Sequence, residues 1–145
     1  MQIKLLDLLC RIKKIEEEKE VLHKNQILEI LKGLKNEHEA IIEERERISQ
    51  AFTIHRFFKA SELQDLIRIR DTLLEMEKIA ENKIKDLNDE LVRVEEKLVE
   101  RHKERRLFER LKERETLKQR EREAKRLYRE LDELALLRGS FREEG

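Results

Sequence analysis

Residues 80–98 read AENKIKDLNDELVRVEEKL. Ala80, Ile84, Leu87, Leu91, Val94 and Leu98 follow one another in alternating steps of four and three. A strand would alternate every second residue, so this rhythm belongs to a helix that lays one stripe against another helix. The same frame extends back to Leu63, Leu66 and Leu73 and forward to Phe108. Arg70, Glu77, Arg101 and Arg105 fill its remaining slots.

A stripe of this length needs a second helix to cover it. Two apolar runs lie upstream. One is Leu5, Leu8, Ile12, Ile15 and Leu22; the other is Ile27, Leu31, Leu34, Ile41, Ile48 and Phe52, with His38 and Arg45 between them. The two runs do not share a heptad frame, which predicts a slip of the seam between about residues 22 and 28. Between the upstream runs and the long stripe, Ile54, Phe57 and Phe58 cluster. Ser61-Glu62-Leu63-Gln64 then reads as a capping box with Ser61 as N-cap. The expected fold is all-α. Helix one covers about 2–57, the turn about 58–60, and helix two about 61–141, as one antiparallel coiled-coil hairpin. A fold-back near residue 61 brings Arg45 near Glu77 and Phe52 near Arg70. Helix one then runs out opposite about residue 117, so the end of helix two overhangs.

Composition agrees. Of 145 residues 47% are charged and 38% hydrophobic, with three Gly and no Pro or Trp. So few turn-formers exclude sandwiches, barrels and βαβ units. No apolar run approaches the length of a membrane span. The lone Cys10 cannot make an intramolecular disulfide and suits a reducing compartment. Ile3 to Ile12 is interrupted by Asp7 and Arg11 and reads as an amphipathic helix, not a leader.

Lys plus Arg and Asp plus Glu each total 34, yet the charge is segregated. Residues 71–100 hold ten acids and five bases; residues 101–130 hold thirteen bases and seven acids. The basic stretch reads either as a solvated helix face with its own i,i+4 pairs or as a handle for an acidic partner. Seven interspersed acids and few aromatics make nucleic acid a poor fit. Beyond it Leu127, Tyr128, Leu131, Leu134, Ala135, Leu136 and Leu137 form an apolar stripe with no segment left to cover it.

Catalytic patterns are missing. There is no HExxH, CxxC, P-loop or GxGxxG, and none of the three serines sits in a nucleophile elbow. Glu20 and His23 have the Glu-x-x-His spacing of di-iron bundles, but that site needs two such motifs. Neither an enzyme nor a metal or cofactor is expected.

The stretch from Phe58 to Arg138 resembles the FliJ family of flagellar export proteins. Leu66-Ile67 and Val94 carry the likeness first. LFERLKER at 107–114, Tyr128-Arg129-Glu130 and Leu131-Asp132-Glu133-Leu134-Ala135 complete it. The resemblance implies a central-stalk component of the type III export apparatus, similar to the gamma subunit of rotary ATP synthases. The paired termini would enter the export ATPase hexamer, through Leu5, Leu8, Arg110, Arg114, Arg122, Arg126, Tyr128 and Arg129. The other end would reach the export gate through Phe58, Leu66, Ile69 and Leu73, and export chaperones would be further partners. It also implies a cytoplasmic location, peripheral to the membrane at the flagellar base. The stalk of a needle-type virulence secretion ATPase is the same architecture with another client. A structural, oligomeric coiled coil is the rival from a different class.

Overall fold

The computed structural model describes residues 2–54 and 59–144, with side chains through Ser140. It is an all-α, antiparallel helical hairpin. Helix α1 spans Ile3–Ile54 and α2 spans Ala60–Glu144. The expected end of helix one at 55–57, and Phe57 and Phe58 of the expected apolar cluster, lie outside the described residues. Ile54, the described member of that cluster, is exposed.

The start of α2 corrects the expected cap. The Lys59 carbonyl accepts the first intrahelical bond, from Leu63 N–H at 3.1 Å. The helix therefore begins at Ala60, and Ser61 lies inside the first turn instead of capping it. Glu62 remains in that turn, where the helix dipole favours an acid. The far end runs to Glu144, three residues past expectation.

Packing divides the chain into two units: residues 18–99, and residues 1–17 with 100–145. The first holds most of the apolar core. Ile27 and Leu31 of α1 pack with Val94 of α2, and Ile84, Leu87 and Leu91 close around them. Each fully buried side chain of this size contributes about 1.5–3 kcal/mol. Ala80 is also buried. The α2 frame read from sequence holds from Leu66 to Phe108, where every frame position is buried or half-buried. Leu63, its expected first member, is exposed.

Two polar positions in this unit meet as the register demands. Arg45 Nε lies 3.2 Å from Glu77 Oε2. The Arg70 guanidinium stands 5.8 Å from the centre of the Phe52 ring, a cation–π distance.

The seam of α1 differs from the expected one. Its inward positions run from Ile3 through Leu6, Cys10, Lys13, Glu17, Glu20 and Lys24 to Ile27 in unbroken steps of three and four, and the rhythm continues to Phe52. There is one frame and no slip near residues 22–28. The run Leu5, Leu8, Ile12, Ile15 and Leu22 is not in the seam; these residues are between 41% and 59% exposed. The physical reason is that charged side chains occupy the seam here. Lys and Glu stems lie along apolar surface while their ends pair across to α2. Their pairing, and not their polarity, decides which face turns inward.

Candidate functional site

The candidate site is the unit built from residues 1–17 and 100–145. Leu6, 1% exposed, is its fully buried anchor among the described residues. Around Leu6 the two helices are held by charge. Lys112 Nζ donates to Asp7 Oδ1 at 2.6 Å. Lys13 Nζ reaches Glu104 Oε2 at 3.1 Å and stands 5.8 Å from the Phe108 ring centre. Arg101 donates to Glu16 at 3.0 Å. Glu17 pairs with Arg105 and also lies 3.1 Å from His102 Nδ1.

These pairs shift the groups that make them. The hydrogen bond from Lys112, aided by the Arg11 charge, holds the Asp7 carboxyl below its ordinary range. Lys13 does the same to Glu104. Lys13 and Lys112 are raised by their carboxylate partners. Burial pushes the Cys10 thiol up, which leaves it largely protonated and a poor nucleophile.

From Leu117 to Ser140 every residue of α2 is exposed. This is the expected overhang. The beginning of α1, at Gln2, Ile3 and Lys4, shares an open groove with Glu115, Gln119 and Arg122 of α2. Continuing the inward frame of α2 past Lys112 and Glu115 gives Gln119, Arg122, Arg126 and Arg129. The row that faces α1 lower down thus becomes a row of arginines. Arg126 is braced along its own helix by Glu130, Nε to Oε1 at 3.3 Å. Turned away from that row, Leu127, Tyr128, Leu131 and Leu134 are between 55% and 69% exposed, while Leu136 and Leu137, also exposed, fall back toward it.

Most of the residues expected at the ATPase-facing end therefore share exposed surface of this unit. Arg110, Arg114, Arg122, Arg126, Tyr128 and Arg129 are all exposed, as are Leu5 and Leu8. Leu5 and Leu8 lie on the outward side of α1, with Ile12 and Ile15 continuing their stripe. The apolar period put this stripe in the seam, although Leu5 and Leu8 were also expected as docking residues; Ile12 and Ile15 were expected only in the seam. Of the gate-facing candidates, Leu66 and Leu73 are half-buried in the seam row, Ile69 is exposed, and Phe58 lies outside the described residues.

The arrangement offers a polyvalent surface: a basic row, an apolar stripe on the same helix, and a second apolar stripe on α1. The described hollows of this unit are open to solvent. No described helix is long and apolar enough to cross a membrane. No family model, curated protein or solved structure matches the chain, so its assignment rests on the arrangement of its own residues.

Proposed function

We propose that this chain is a non-enzymatic central-stalk component of the flagellar type III export apparatus. In this reading residues 1–17 and 100–145 dock inside the export ATPase hexamer, and the region after the bend reaches the export gate and the export chaperones. One observation carries the reading: Leu117 to Ser140 of α2 are all exposed, with Arg122, Arg126 and Arg129 in one row and Leu127, Leu131 and Leu134 turned away from it. A solvated helix does not need so many exposed leucines, and a ring with acidic and apolar walls would cover both sides. The likeness of residues 107–135 to the FliJ family adds support on the same segment.

Capture by the purified secretion ATPase tests the reading, comparing the intact chain with a 1–117 truncation. Binding and ATPase stimulation by the intact chain, lost in the truncation, is the expected result. Equal behaviour of the two would refute the overhang as the docking element. The exposed Leu127–Leu137 stripe also fits a structural coiled coil closed on a second copy. A tight oligomer in sedimentation with no effect on the ATPase would favour that second reading.

A further inference from the structure

Within residues 18–99 three side chains from the two helices converge. His38 comes from α1, and Glu77 and Glu81, one turn apart, come from α2. One ring nitrogen and one oxygen from each carboxylate lie within 4.8 Å of one another. His38 Nε2 is 3.3 Å from Glu81 Oε1. Glu77 Oε2 is buried and makes no hydrogen bond, with Arg45 Nε as its ion-pair neighbour at 3.2 Å. We propose that His38, Glu77 and Glu81 bind a first-row divalent transition ion, of which zinc is the type, and that the ion fastens α1 to α2.

The donor set selects the ion. One imidazole nitrogen and two carboxylate oxygens, with a water in the open position, is a zinc arrangement. Imidazole also suits copper and nickel, whereas calcium takes six to eight oxygens and magnesium an oxygen octahedron. Ligand bonds of about 2.0–2.2 Å need the three atoms drawn inward by roughly 1 Å. Glu81 is exposed and Glu77 is long, so rotation of their side chains supplies that movement with the helices in place. Two carboxylates against the Arg45 guanidinium leave the cluster net negative, which favours a further cation. The seam position matters as well: His38 and Glu77 belong to the inward rows of their helices, so an ion held by both acts across the pairing.

Zinc chloride titrated into the full-length chain carrying Cys10→Ser, so that no thiol competes, tests the proposal by calorimetry and thermal melting. The expected result is one ion per chain, with the melting temperature raised by roughly 5–10 °C at a hundredfold excess over the dissociation constant. His38→Ala should lose the zinc-dependent rise, and Glu81→Gln should weaken binding at least tenfold. His23→Ala, which removes a histidine facing the single carboxylate of Glu90, should leave the rise intact. The readout is the difference with and without zinc in each variant, so a change in basal stability does not blur it. No heat of binding in the parent chain, a rise that survives His38→Ala, or equal loss in His23→Ala would each overturn the site.

Discussion

Arg45 of α1 and Glu77 of α2 face each other across the seam, Nε to Oε2 at 3.2 Å, each at a position where an apolar row is interrupted. One helix's interruption is the other's partner. The pair therefore marks a register in which both charges are answered: a shift by one heptad sets Arg45 against Ile84 and Glu77 against Phe52 in one direction, and Arg45 against Arg70 in the other. Arg45→Glu should lower the stability of residues 18–99 by about 1–3 kcal/mol, because it leaves two half-buried acids opposed. Adding Glu77→Arg should recover most of the loss. Urea denaturation of the two single variants and the double reads this directly; a double variant no better than the singles would remove the register role.

Leu6 and Leu5 are adjacent in sequence and opposite in environment. Leu6→Ala should cost the terminal unit about 2–3 kcal/mol, since it empties a fully buried position. Leu5→Ala should change stability by less than about 0.5 kcal/mol. Hydrogen exchange of residues 1–17 separates the two effects.

Charge holds the terminal unit, so acid and salt should loosen it first. Asp7 and Glu104 are depressed in the folded chain, so their stabilisation is present above the ordinary carboxylate range and is lost as pH falls through their folded values. Lys13 and Lys112 are raised, so theirs is present below the ordinary lysine range and is lost as pH rises through their folded values. Both contributions are present together from about pH 5 to pH 10. Exchange protection in residues 3–17 should fall at pH 3, and again at neutral pH in molar salt, where the screening length is about 3 Å. Protection around Ile27, Leu31 and Val94 should change far less. Uniform loss across both units would contradict this division.

The outward leucines of α2 pack on nothing within the described chain. Replacing Leu127, Leu131 and Leu134 together with Gln should leave helix content and melting nearly unchanged, because all three are exposed. The same variant should bind the secretion ATPase at least tenfold more weakly. A triple variant that melts earlier and still binds normally would show these residues to be structural.

How far residues alone could be read depends on which side chains filled the seam. Along α2 the seam is mostly apolar, so Leu66 to Phe108 were legible by period alone, and the pairings of Arg45 with Glu77 and Phe52 with Arg70 followed from the fold-back. The overhang was legible too, because a fold-back near residue 61 runs α1 out opposite about residue 117. Along the first 24 residues the same logic pointed the wrong way. Lys13, Glu17 and Lys24 hold the inward row there by lying across to pair with Glu104, Arg105 and Glu95, with the half-buried Glu20 between them, while leucines and isoleucines hold the outward row. Apolar periodicity finds a helix and its stripe, but it does not say whether that stripe faces this chain or something else. The His38–Glu77–Glu81 cluster was hidden for another reason: it joins two helices, and the i,i+4 spacing of Glu77 and Glu81 says nothing of the histidine on α1.

The outward stripe of α1 has a geometric consequence. Leu5, Leu8, Ile12 and Ile15 stand two residues out of step with Ile3, Leu6, Cys10 and Lys13, a rotation of about 200° around the axis. A helix with usable rows on opposite sides has two neighbours to satisfy, and α2 supplies one. In its first turns α1 therefore carries one row that α2 covers and an opposite row of leucines and isoleucines that nothing in the described residues covers.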